Sequence, residues 1–331
     1  MSVIRTDPLT SFTTIFAPER AKRPIGITND LAQFEVTAEQ IETDPFAEGK
    51  ESETTSELYA VRHPESQPNQ PGWSLRVVAN KFPALTPHAD LAADENQYGV
   101  HEVIVECPQF ETQMTRLELS HFQNLFRAYR QRAATHRSDP RLEYVLIFKN
   151  QGILGGASLG HAHSQLVASQ IVPSAMQQEL QAARDYLAEQ GGSILQASSQ
   201  EMPTGYSGLV TSTPYFNVIC PYASRFAFET WIVPRSLKTH FDHSSDQELD
   251  DLAGLSRRLL LALEEILGSH DFNFVIQTPP FATDEQAGYA WSMRIYPRLA
   301  HLAGFELSTN MFINPVFPEQ AIEQLKKQLV S

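Results

Sequence analysis

The chain has little cysteine. Its 331 residues include two, Cys107 and Cys220, and no CxxC pair. That excludes a disulfide scaffold and an all-thiolate zinc site, and it fits a reducing compartment. Positive charge is scarce too: 25 Lys and Arg stand against 39 Asp and Glu, a net charge of −14. With no basic run and no arginine-rich tail, neither nucleic acid nor an anionic membrane is an expected partner. No apolar run approaches a membrane span, and Met1 to Arg20 carries no apolar signal core, so the expected location is cytoplasmic. One basic cluster, Arg20-Ala21-Lys22-Arg23, stands against the acidic background. It reads either as a small anion site or as a solvated loop.

Apolar residues make up 42% of the chain, enough for a real core, and the length suits one large domain or two ordinary ones. Residues 48–70 are polar and read as a surface loop. Strands are expected at 74–78, 102–107, 144–148 and 161–168, and helices at 117–133 and 174–189. Strands at 216–219, 228–233, 272–276 and 289–296 follow, with a long amphipathic helix over 246–267. Ser245 and Glu248 fit a capping box at its start. The helix–strand–loop–strand order thus occurs twice, about 128 residues apart. That spacing is too long for a solenoid, and the missing crossover helices argue for antiparallel strands. The expected fold is α+β, two similar halves (1–195 and 196–331), each an antiparallel sheet with packed helices.

The run Gly160-His161-Ala162-His163-Ser164-Gln165 carries the chemistry. On a strand, alternate residues share a face, so His161, His163 and Gln165 would point at one spot. Gly152, Gly155, Gly156, Ala157, Ser158 and Gly160 lie just upstream, where backbone can approach a ligand closely. Three readings compete for the histidines: a metal site that needs further ligands, hydrogen-bonded core residues, and an imidazole that attacks phosphorus while fixed donors hold the charge. In the second copy, Trp291-Ser292-Met293-Arg294 stands in place of this motif, so one copy alone keeps a nucleophile.

Phe148-x-Asn150-x-Gly152, Gly155-Gly156-Ala157-Ser158 and His161-x-His163-x-Gln165 together resemble the galactose-1-phosphate uridylyltransferases of the histidine-triad superfamily. Segments 17–24, 80–85, 98–103 and 228–235 fall in the family's order. The ending Gly304-Phe305-Glu306-Leu307 … Ile313-Asn314-Pro315 resembles the ADP-glucose phosphorylase branch. The resemblance spans nearly the whole chain. It implies a homodimer that moves a nucleotidyl group between a nucleotide sugar and a sugar 1-phosphate or phosphate, by ping-pong through a nucleotidyl-histidine. UDP-glucose–hexose-1-phosphate exchange is the leading expectation. An ADP-glucose phosphorylase-like reaction and a non-catalytic nucleotide-binding relic are the alternatives. Carried over, His163 is the nucleophile, Gln165 holds its phosphoryl oxygen and His161 orients the site. Arg20, Arg23, Asn80, Phe82, Phe148, Asn150, Gly156 and Ser158 contact the nucleotide and phosphates.

The sequence departs from the family at its metals. The resemblance implies a zinc site whose positions read Asp44, Ala47 and Phe110 here, with only His161 kept. No zinc is expected, and Asp44 is expected to bond its own turn. A second metal site in some relatives maps to Glu179, Leu237, Ser292 and Arg294, with Glu179 then expected to be an exposed helical residue. No cofactor is required, since an imidazole nucleophile needs no metal-activated water.

Overall fold

A computed structural model describes residues 2–22, 36–87, 98–200 and 205–330, with the backbone alone at 21, 22 and 330. The first half supplies strands β3 (Glu57–Arg62), β4 (Trp73–Ala79), β5 (Gly99–Val105), β6 (Tyr144–Gln151) and β7 (His163–Ser169). The second supplies β8 (Leu209–Ser212), β9 (Phe216–Ile219), β10 (Thr230–Pro234), β11 (Asp271–Gln277) and β12 (Ser292–Arg298). These ten strands form one sheet in the order β3-β4-β5-β7-β6-β11-β12-β10-β9-β8. Read from either edge inward, the order is the same. Every neighbouring pair is antiparallel, and the halves join where β6 pairs with β11, Asn150 opposite Asn273. The expected α+β fold with two similar halves is therefore present, with the two antiparallel sheets continuous across one seam.

A second, three-stranded sheet joins the ends of the chain. Strands β1 (Val3–Thr6) and β2 (Thr13–Phe16) pair with each other, and β13 (Met311–Asn314) runs parallel to β2. The helices are α1 (Ala38–Glu42), α2 (Leu119–Arg137), α3 (Ser174–Gln190), α4 (Ile194–Ala197), α5 (Asp246–Leu267), α6 (Gly304–Thr309) and α7 (Pro318–Val330). The expected capping box opens α5: Ser245 Oγ accepts from Glu248 N, and the Glu248 side chain accepts from Ser245 N. Among the described residues no helix is long and apolar enough to cross a membrane.

Opposed residues on antiparallel strands share a face, and the register sorts the large sheet into two. One face (Ile104, Leu166, Ile147, Phe274, Ile295) is buried with Phe122, Phe126 and Tyr129 of α2 and Leu252, Leu259 and Leu263 of α5. The other face carries two separate apolar clusters. Val78, Val103 and Val105 pack with Trp73 and Phe46 at one end, while Trp231, Val233 and Tyr144 pack with Met176 and Leu180 of α3 at the other. Between them the row from Val103 to Arg294 passes through the half-buried Gln165, Phe148 and Val275, with His163 one step along β7. His163 and Gln165 thus lie between the two clusters.

Candidate active site

The strand begins at His163, two residues later than the alternation predicts. His163 and Gln165 share this second face, but the ring of His161 does not join them. It turns to Asp44, whose Oδ2 lies 2.6 Å from its Nδ1, while Nε2 meets the carbonyl of Cys107 at 2.8 Å. The expectation that three side chains meet at one spot holds for two. The contribution of His161 to its neighbour is backbone: its carbonyl lies 2.8 Å from His163 Nδ1.

A carbonyl oxygen can only accept, so His163 Nδ1 carries the proton and the neutral ring keeps its lone pair on Nε2. Nε2 has no hydrogen-bond partner among the described residues. Burial disfavours the charged ring and lowers its pKa below the ordinary 6.5, against the carbonyl of His161, which favours it. The ring is therefore neutral at pH 7, with the Nε2 lone pair free of any described partner. Beneath it, on the helix-covered face, Lys149 Nζ binds Glu106 Oε2 at 2.8 Å and donates to the His163 carbonyl at 3.1 Å. Both side chains are fully buried. Lys149 and Glu106 are site-supporting residues that the sequence reading missed.

Phe148 lies directly opposite Gln165, and Asn150 lies farther along β6 on the same face. Asn273, from the second half, donates to Asn150 Oδ1 at 2.8 Å and to the Gly155 carbonyl at 2.7 Å, and accepts from Arg298 at 2.9 Å. Asp271 accepts from Leu154 N at 2.7 Å. The glycine loop is thus anchored across the seam. Gly152 needs its glycine: φ is +75°, and a Cβ would stand 1.8 Å from Asp271 Oδ1. The N–H groups of Gly156 and Ala157 close the loop's own turns, on Ile153 and Gly152. Those of Ser158, Leu159 and Gly160 make no such bond among the described residues.

After β4, Asn80 Oδ1 accepts from Phe82 N at 2.8 Å, and the Phe82 ring stands 84% exposed. Arg20 is exposed on a single 3₁₀ turn, Pro18–Lys22, and no described contact joins its side chain to the His163 group. Arg23 lies outside the described residues.

A family model described as galactose-1-phosphate uridyl transferase, N-terminal domain, matches residues 1–173, and a model of a domain of unknown function matches residues 111–331. The chain belongs to the galactose-1-phosphate uridyl transferase family. It is 31% identical to the ADP-glucose phosphorylase of Arabidopsis thaliana, over 98% of this chain and 92% of that one. The crystal structure of an Arabidopsis thaliana ADP-glucose phosphorylase with bound ADP-glucose superposes with a TM-score of 0.85, at 30% identity, over 99% of this chain and 98% of that one. A galactose-1-phosphate uridylyltransferase of Thermotoga maritima is 26% identical over 70% of this chain and 75% of its own.

Family membership makes the metal positions worth testing against the side chains present. At the zinc position Ala47 offers no donor atom. The Phe110 and Phe46 rings stand edge-on to His161, with centroids 5.8 and 6.1 Å away. Both His161 nitrogens are committed, and Asp44 also accepts from Phe46 N at 3.0 Å, bonding its own turn as expected. Nearby Cys107 is held as the thiol, since burial pushes its pKa up to about 12. These residues do not fit a tetrahedral zinc site. At the second position Glu179 is not exposed, contrary to expectation. It is buried, its two oxygens bound by Arg294 at 2.7 and 2.6 Å and one of them also by Tyr289 at 2.9 Å. By strand position Ser292 and Arg294 stand where β7 has His163 and Gln165. The guanidinium fills the space before the carboxylate, so this group does not fit a metal either.

Proposed function

We propose that the protein transfers a nucleotidyl group from a nucleotide sugar to phosphate or a sugar 1-phosphate through a covalent nucleotidyl-His163. The lone pair on His163 Nε2 carries the reading. It attacks the α-phosphorus, an N–P bond forms, and the bond from that phosphorus to the bridging oxygen breaks. Sugar 1-phosphate leaves with the electron pair. The substituted ring is then an imidazolium, and its charge is met by the His161 carbonyl already bonded to Nδ1–H. An oxygen of the acceptor attacks the same phosphorus, the N–P bond breaks, and Nε2 regains its pair. Gln165 and the N–H groups of residues 158–160 face the phosphoryl oxygens, Phe82 and Phe148 flank the base, and Arg20 and Arg23 add positive charge.

ADP-glucose is the preferred donor and phosphate the preferred acceptor, on the support of the full-length likeness to ADP-glucose phosphorylase. UDP-glucose–hexose-1-phosphate exchange is the second reading, favoured by the family model over residues 1–173. No metal takes part, and the enzyme works as a cytoplasmic homodimer. Incubation with α-³²P-labelled ADP-glucose or UDP-glucose is expected to leave acid-labile, base-stable label on the wild type and none on His163→Ala. A wild type that takes no label from either donor refutes the covalent mechanism and favours a nucleotide-binding relic. Mass spectrometry of products from a donor panel fixes base and acceptor together.

A further inference from the structure

We propose that His101 is a positioning residue that holds the Gln165 amide with its NH2 group toward the phosphorus and ties that amide to the loop bearing Phe82. The inference rests on nucleotidyl transfer at His163. His101 lies on β5, opposite Val167 of β7, on the face that carries Gln165. Two neighbours fix its proton. Ala84 N, 3.1 Å from Nδ1, can only donate, so Nδ1 holds a lone pair and the neutral ring carries its hydrogen on Nε2. Gln165 Oε1 is 2.7 Å from Nε2 and accepts that hydrogen. Asn80 Nδ2 also lies 3.2 Å from Nε2, but it is itself a donor, and Asn80 Oδ1 is taken by Phe82 N. It does not compete.

With Oε1 held, the Gln165 NH2 has no partner among the described residues and is the end of the amide left for a phosphoryl oxygen. A half-turn of the amide would present its oxygen lone pairs to that anion and turn attraction into repulsion. The same histidine brackets the base-side loop. Its carbonyl accepts from Asn80 N at 2.8 Å and its Nδ1 from Ala84 N, on either side of Phe82. One imidazole thereby sets the register between base and phosphorus.

The test is single-turnover labelling of the full-length protein at saturating α-³²P donor. His101→Ala is expected to label at least tenfold more slowly. His101→Gln, whose amide nitrogen reaches the place of Nε2, recovers most of the rate, and His101→Asn, which can serve Ala84 alone, does not. In a Gln165→Ala background, His101→Ala slows labelling far less than it does in the wild type. Equal slowing in both backgrounds, or no rescue by glutamine, overturns the proposal. If the wild type takes no label, the transfer reading falls, and positioning is judged by NMR. The Gln165 side-chain NH2 signals, assigned by their loss in Gln165→Ala, are expected to move in His101→Ala and stay in His101→Gln. Unmoved signals overturn the positioning role.

Discussion

At His163 one hydrogen bond fixes the tautomer: Nδ1 is spent on a carbonyl, and Nε2 keeps its lone pair. Its pKa lies below 6.5 in the fold and near 6.5 in the unfolded chain. Between these values the unfolded chain binds the extra proton. The ring's contribution to stability is therefore complete above about pH 6.5 and is lost as pH falls toward the folded value. Transfer follows the same titration, so the labelling rate is expected to stay flat as pH drops through 6.5 and to fall only below it. A profile half-lost at 6.5 or higher would contradict this. The buried Lys149–Glu106 pair gives a second expectation. Lys149→Met leaves a carboxylate unpaired and is expected to cost about 3–5 kcal/mol in chemical denaturation, most of it recovered in Lys149→Met/Glu106→Leu. His163 and Gln165 were legible in the sequence because strand alternation is a local rule. The role of His101 was not, since it meets Gln165 from a neighbouring strand, a contact no local pattern specifies. Glu179 was misread for the same reason: its partner Arg294 is 115 residues away, and helix position alone does not reveal a buried pair.

Among the elements, the glycine loop is held from across the seam by Asp271 and Asn273. Gly152→Ala meets both a left-handed backbone and the Asp271 carboxylate. Gly191, which caps α3 at φ +72°, has nothing within 4 Å of the place a Cβ would take, and so isolates the backbone part. Gly191→Ala is expected to cost about 1–2 kcal/mol with labelling unchanged. Gly152→Ala is expected to cost more and to slow labelling as the loop shifts; equal costs would show that Asp271 yields freely. The sequence predicted α5 with its cap and the strand of Phe148, where periodicity and capping agree. It placed the start of β7 two residues early, because His161 continues the alternation in pattern while its ring is drawn off by Asp44.

Across the whole molecule, the duplicated strand order was legible from the repeat, but the seam was not. Pairing of β6 with β11 is an edge-to-edge choice that no local pattern specifies. Nor does any local pattern announce that β13 closes onto β2. Because aromatic rings, a guanidinium and hydrogen bonds fill both metal positions, dialysis against EDTA is expected to leave the melting temperature and the labelling rate unchanged. A fall of several degrees, reversed by zinc, would contradict that. The seam has one more effect. Asp271 and Asn273 belong to the half without the histidine motif, yet they hold the glycine loop that precedes His163. That half is therefore not free to drift. A substitution on β11 is therefore expected to disturb the glycine loop, although it lies far along the chain from the histidine motif.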